Sequence, residues 1–355
     1  MKAGMSSPGT RVRLGLFLWL GTVSIGASLN AGVEVTDEWS LRPGWNAIFL
    51  RVAPRNDRLE AVLDGLDVES VWTRGERESE AEFLSDPTVP IRDPSRWLRW
   101  YPAEAIESRF NSLHAMVANR AYLLRVRGGR QMEVRSETLP DGTVLAETNV
   151  QWRVVGVPAE RPLPWVPNSL SLRGLPVDGA LETTVGGFLG SSVAHVNPAS
   201  GLARGVWGLA PGGQWRPMPP TERLLPGVAY WIRTEGVSVF ESPFTLQPGR
   251  LDFGTALSAQ TLVLESRDGR SRVLELFRHD AEAGPLRVLG NGSGVVEAPQ
   301  WSRVAVPERG RVEWTLRVDR GGMVPGSRYE TVYEIRDGLG TRFRVPVTVQ
   351  GGEAP

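Results

Sequence analysis

The chain has 355 residues, 41% apolar and 23% charged, with a formal net charge of zero, no cysteine and thirteen tryptophans. That composition is globular rather than disordered, and it excludes disulfides, thiolate metal sites and a lipid-modified N-terminal cysteine. It also lacks the basic field that nucleic-acid binding requires, because phosphate recognition rests on clustered cations.

The chain opens with Lys2, Arg11 and Arg13, then an apolar run over 14–25, then small and polar residues up to Ala31. A positive start, about a dozen apolar residues and a small-residue exit predict an export signal over 1–31. The run falls short of the roughly 20 residues a spanning helix needs. The expected mature chain therefore has no stable membrane span and resides in the periplasm, at the cell surface or outside a bacterial cell. An uncut N-terminal anchor is the competing reading.

From 32 onward one order of elements is written twice. NAIFLRVAP (46–54) alternates as a strand and stops at proline, and NSLSLRGLP (168–176) does the same 122 positions later. Helical patterns follow, RLEAVLDG (58–65) and LETTVGGFLG (181–190), with Asp57 and Asp178 as expected N-caps because a short carboxylate accepts first-turn N–H groups. Second strands are read at VESVWT (68–73) and SSVAHV (191–196), then tryptophan-bearing segments at RWLRWYP (96–102) and GQWRPMP (213–219). Each copy closes on an Ala-Tyr strand, Ala121-Tyr122 and Ala229-Tyr230, 108 positions apart. The shorter spacing is assigned to an inserted polar loop over 74–94 in the first copy. Matched anchors in matched order predict a duplicated β-rich module, each copy with one short helix, over 32–150 and 151–243.

These residues resemble a repeat of exported bacterial and archaeal surface proteins that opens Gly-Trp-Asn and closes on a Gly-Tyr-Trp-Ile type strand. The first copy keeps Gly44-Trp45-Asn46, and the second keeps Tyr230-Trp231-Ile232. The resemblance covers 39–234. It implies a surface-associated, non-catalytic module and assigns no site residues.

Over 244–355 the pattern changes to short runs of period two. RVEWTLRVD places Val312, Trp314, Leu316 and Val318 on one face; Tyr329, Thr331, Tyr333 and Ile335 share another, as do Phe343, Val345, Val347 and Val349. Such alternation predicts antiparallel strands with one buried side. Asp268-Gly269 and Asp337-Gly338 read as hairpin turns, and Pro346 as the mark of an edge strand. Seven or eight strands are expected, in an immunoglobulin-like antiparallel sandwich without the cysteine pair. The opening GRLDFGTALSAQTLVLES resembles the first strands of Ig-like domains of exported bacterial proteins, which implies adhesion, spacing or assembly. The fold class is thus mainly β: two repeated β-rich modules, then a sandwich.

No motif in the chain carries recognisable chemistry. His114, His195 and His279 are not at helical metal-site spacing, and no Gly-x-Ser-x-Gly elbow is present. GNGSG (290–294) sits between β-like runs and reads as a loop. GERESEAE (75–82) reads as a solvated loop, since calcium demands converging oxygens. No catalytic residue, cofactor or metal is assigned. Trp97, Trp100, Tyr101 and Trp215 form a candidate strip for stacking on sugars, set against the packing role of large aromatics in small modules. The sequence reads as an exported non-catalytic structural or adhesion-type protein whose partners are other surface proteins or a polysaccharide. The alternatives are a carbohydrate-binding accessory protein and a hydrolase with scattered residues.

Overall fold

The computed structural model describes residues 33–75, 97–129, 132–138, 144–159, 164–197, 199–278, 284–289, 295–296 and 301–352. The export signal, most of the inserted loop with its acidic run, the GNGSG run and His279 lie outside the described residues. No helix among those described is long and apolar enough to cross a membrane.

The first module contributes β1 (Val35–Leu41), β2 (Gly44–Leu50), β3 (Val52–Pro54), α1 (Leu59–Val62), β4 (Leu66–Arg74), β5 (Trp97–Trp100), β6 (Arg120–Gly129), β7 (Met132–Thr138) and β8 (Val144–Pro158), which runs past the expected boundary at 150 because it pairs with β1 and β3. One antiparallel sheet runs β2-β6-β4-β5; the other runs β1-β8-β3, with β7 also on β8. β1 alternates strictly between buried and exposed. Its inward residues pair across to β8, Trp39 opposite Trp152 with ring centroids 4.8 Å apart. Ile48 and Leu50 of β2 and Tyr122 and Leu124 of β6 close on that layer, with Leu59 and Val62 of α1. A four-residue helix has no stability of its own; the two buried side chains hold it.

The second module contributes β9 (Leu170–Arg173), α2 (Val185–Leu189), β10 (Val206–Leu209), β11 (Trp215–Pro217) and β12 (Tyr230–Arg233). Its sheet runs β9-β12-β10-β11. In both modules the order is first strand, last strand, second strand, third strand, with the helix between the first and second. The two β-rich modules are repeats of one plan.

Strand register corrects three details of the sequence reading. Tyr122 lies opposite Ile48, but Tyr230 lies opposite Arg173. With the Ala-Tyr strands superposed, Ala47 therefore corresponds to Leu172, and the Asn-anchored match is three residues out of register. The second strand of the second copy is not 191–196, which forms turns, but β10. There Val206-Trp207 faces Ile232-Trp231 as Val71-Trp72 faces Leu124-Leu123. The caps also differ. Arg58 precedes α1 with no side-chain cap, and Thr184 caps α2 by accepting the Gly187 N–H at 3.1 Å. Asp178 instead accepts the Ala180 N–H at 3.0 Å in a local turn.

The C-terminal part is an Ig-like sandwich, antiparallel but for one short parallel pair. Its strands are β13 (Phe244–Gln247), β14 (Leu251–Asp252), β15 (Ala259–Ser266), β16 (Arg272–Arg278), β17 (Leu286–Leu289), β18 (Val295–Val296), β19 (Trp301–Val306), β20 (Arg311–Val318), β21 (Arg328–Asp337) and β22 (Arg342–Gln350). One sheet runs β13-β15-β20-β17-β18 and the other β14-β22-β21-β16-β19. The alternating faces read from sequence meet between them around Trp314, Leu316, Tyr333 and Val345. Asp337-Gly338 does turn a hairpin between β21 and β22. Asp268-Gly269 does not: it crosses between sheets, because β15 and β16 lie in different layers. Pro346 is not in an edge strand, since β14 flanks β22. That cover reaches only Val347 and Thr348, so the proline nitrogen faces no ladder partner there.

Candidate functional site

The repeated sheets pack face to face, and the tryptophans explain why. Ala47, Phe49, Trp97, Ala121 and Leu123 of the first module meet Leu170, Trp215, Ala229 and Trp231 of the second. Trp97 lies opposite Arg74 and Trp215 opposite Leu209, which are equivalent positions. The two copies thus present the same face to each other, with small alanines at the paired Ala-Tyr positions letting the sheets approach. The tyrosines point the other way, into each module's own core. The Tyr122 hydroxyl accepts the Val117 N–H at 2.7 Å, and the Tyr230 hydroxyl accepts the Leu225 N–H at 2.7 Å. Each tyrosine therefore pins the loop five residues upstream, and burial pushes the Tyr230 hydroxyl up to about 12.

Of the residues singled out for sugar stacking, Trp97 and Trp215 are buried in this inter-sheet layer. Trp100 is buried in the first module's core and donates its indole N–H to Glu60 at 3.1 Å. Tyr101 is half-buried, edge-on to Trp72 at 6.2 Å. The four rings form no continuous exposed strip.

His195 is 1% exposed. Its Nδ1 lies 2.7 Å from the Ser192 hydroxyl and its Nε2 lies 3.3 Å from Thr234. Burial, with Arg173 nearby, depresses it to about 4, so it is neutral at pH 7. His114 is exposed. No group of three or more metal-ligating side chains occurs among the described residues.

A polar constellation lies where the sandwich meets both modules. Asp37 of β1, 3% exposed, receives Arg51 at 3.2 Å and Arg344 of β22 at 2.7 Å. Burial alone would raise its carboxyl; the two guanidiniums outweigh that and hold it below the ordinary carboxylate range. Arg344 continues to Glu334 of β21 at 3.9 Å, and Glu334 takes Arg342 at 2.5 Å and also Arg336. Arg336 reaches Asp178 of the second module at 3.7 Å. The β21–β22 turn seats beside it: Asp178 donates its N–H to Gly340 O at 2.7 Å, and Arg342 donates its N–H to Pro176 O at 2.8 Å. Composition hid these acids among the chain's 40 acidic residues. One signal was legible: Val332 interrupts the polar face of β21, and it packs into the first module's core.

Two concavities lie along the module boundary. A cavity of about 100 Å³ sits at the three-way junction, lined by Phe49, Arg173, Phe240 and Phe343 among others. A cleft of about 480 Å³ lies between the start of β6 and the edge of β9, lined by Arg74, Arg120, Arg173 and Trp165. Sequence reasoning could not choose these arginines among so many.

No protein-family model matches the sequence, and no curated protein matches it. Solved structures give partial likenesses. The PapD-like domain of human CEP192 is 15% identical, covering 32% of this chain and 87% of that one, with a TM-score of 0.23. The periplasmic chaperone SfaE is 11% identical, covering 32% and 60%, with a TM-score of 0.24. The secreted serine protease VesC from Vibrio cholerae is 9% identical, covering 89% and 71%, with a TM-score of 0.21. At such scores none of them bears on what this chain does.

Proposed function

We propose that the chain is an exported, non-catalytic interaction scaffold of the cell envelope or exterior, which holds surfaces in a fixed relation for another protein or a polysaccharide. The observation that carries this is the chain of ion pairs on buried carboxylates that runs from Asp37 through Arg344 and Glu334 to Arg336 and Asp178. It ties both repeats to one hairpin of the sandwich. Inter-domain contacts are ordinarily modest and mobile, and several arginines converging on buried carboxylates are the device of a molecule that works by geometry. The burial of Trp97, Trp100 and Trp215 supports the same reading, because it assigns those rings to packing. A carbohydrate-binding role is favoured by one residue only, the half-buried Tyr101 beside Trp72.

The test is fractionation and surface labelling in the native host, with the purified mature chain screened against generic ester, glycoside and peptide substrates. Envelope or extracellular residence without turnover is expected. Residence in the cytoplasm, or turnover abolished by substituting one residue, overturns the reading.

A further inference from the structure

The cavity at the three-way junction takes a wall from each of the three bodies. Phe49 comes from β2, Phe240 from the end of the second module, and Leu246 and Phe343 from β13 and β22 of the sandwich. Phe49, Phe240 and Leu246 are buried, and Phe343 stands edge-on to Phe244 at 5.1 Å. The space, about 100 Å³, is somewhat smaller than the apolar cavity of about 150 Å³ that admits a benzene ring. It suits one compact apolar body and no extended chain.

Arg51, Arg342 and Arg344 line the same cavity, and their network carries a surplus cation. Arg51 and Arg344 pair with Asp37; Arg336, Arg342 and Arg344 pair with Glu334; Arg336 also reaches Asp178. Among the described residues this sets four guanidiniums against three carboxylates. Glu241 and Arg173, also in the lining, cancel in that count. Two donors in the network have no acceptor. Arg342 meets Glu334 through Nη2 at 2.5 Å, and its Nε is buried without a hydrogen-bond partner. Arg344 gives Nη1 to Asp37 at 2.7 Å and Nη2 to Thr36 O at 3.4 Å. Its Nε, 3.9 Å from Glu334, is also buried without a hydrogen-bond partner. The two arginines stand two positions apart on β22 and so leave the strand on one side. A buried donor without an acceptor is destabilising, and a surplus cation beside apolar walls draws an anion. A carboxylate answers both needs, and an apolar body behind it matches the aromatic walls.

We propose that the junction cavity binds a compact apolar monocarboxylate, a branched or cyclic acid of about four to six carbons, with its carboxylate on Arg342 and Arg344 and its body among Phe49, Phe240, Leu246 and Phe343. Bound there, it touches both modules and the sandwich at once and clamps their junction. The assignment goes beyond the scaffold reading and needs neither export nor the absence of turnover.

The probe is isovalerate, titrated by calorimetry into the full chain. Isovaleramide, acetate, octanoate and the peptide acetyl-Gly-Gly-Val serve as comparators. Isovalerate is expected to bind, to raise the melting temperature, and to outbind both its neutral amide and acetate by about tenfold or more. Octanoate and the peptide are expected to bind no better than isovalerate, because the space ends behind a compact body. Arg342→Gln is expected to cost about tenfold in affinity, with the ligand-free melting curve little moved, since Glu334 keeps Arg336 and Arg344. Hydrogen exchange on the wild type is expected to slow at 240–246 and 342–344 when isovalerate is added, a readout independent of whether the variant folds. Absent binding, equal binding of the amide, absent protection of those segments, or unaltered affinity in a folded Arg342→Gln overturns the proposal. Tighter binding of octanoate also overturns it and makes the site an acyl groove; tighter binding of the peptide overturns it in favour of a chain terminus. Each of these failures leaves the scaffold reading standing, whereas cytoplasmic residence or turnover removes that reading and leaves the cavity's ligand untouched.

Discussion

Gly227 holds the inter-module seam through its carbonyl. Its carbonyl accepts both the Trp39 indole N–H at 2.8 Å and the Phe49 N–H, and its φ is 70°. A Cβ would meet Trp39 Nε1 at 2.5 Å, whereas one at Gly236, with φ 71°, would meet nothing within 4 Å. Gly236→Ala should cost about 1 kcal/mol of backbone strain, and Gly227→Ala about 2–4 kcal/mol, because the indole must also move. Denaturant unfolding of the pair checks this, and equal losses would remove the steric argument. His195 acts at the same scale. Its folded value of about 4 lies below the ordinary 6.5, so the unfolded chain binds a proton across that window while the native chain does not. Stability is therefore complete above pH 6.5 and falls between 6.5 and 4, by on the order of 3 kcal/mol. His195→Gln should flatten that part of the stability–pH curve.

At the scale of elements, the inter-sheet layer and the helices differ in what holds them. The layer is aromatic packing, so Trp97→Ala and Trp215→Ala should each cost about 3–5 kcal/mol through the cavity left behind. Indole fluorescence should resist acrylamide quenching in the native chain; free quenching of most tryptophans would contradict their placement. α2 is five residues long and depends on Thr184, whose removal should cost about 1 kcal/mol by thermal melt. Part of this scale was readable in advance. The Ala-Tyr strand could be matched across the copies because both residues have fixed duties, small toward the facing sheet and hydroxylated toward the loop. The second strand could not: 191–196 has strand-like composition, yet 206–209 pairs, because only Val206-Trp207 presents a tryptophan to the shared layer.

For the whole molecule, the Asp37–Arg344–Glu334 junction decides whether three bodies behave as one. Asp37 is held below its ordinary value by Arg51 and Arg344 against the opposing effect of burial. Its contribution is therefore present above the unfolded carboxylate range and lost only as pH falls through the depressed folded value. Asp37→Asn should take the shared carboxylate from the part-buried Arg51 and Arg344, leaving Arg344 its longer contact to Glu334, and cost about 1.5–3 kcal/mol. Calorimetry should show one transition in the wild type, with the sandwich melting separately in the variant. An unsplit, unshifted transition would show that the packing around Val332 holds the bodies together without the charges. Inside the sandwich, Arg272 joins Asp268 and Asp337, so the crossing after β15 and the β21–β22 turn share one buried cation.

Local patterning was sufficient to determine the class of the fold, because period-two alternation and recurrent anchors are written in neighbouring residues. The faces of β20, β21 and β22 and the Asp337-Gly338 hairpin all follow from residues a few positions apart. What only the tertiary structure decided depends on partners tens to hundreds of positions away. Those outcomes are the three-residue register difference between the copies, the crossing at Asp268-Gly269, the burial of Trp97 against the second module, and the pairing of Asp37 with Arg344. One charged residue reads like another until the fold brings a counter-charge to it, as Arg344 is brought to Asp37.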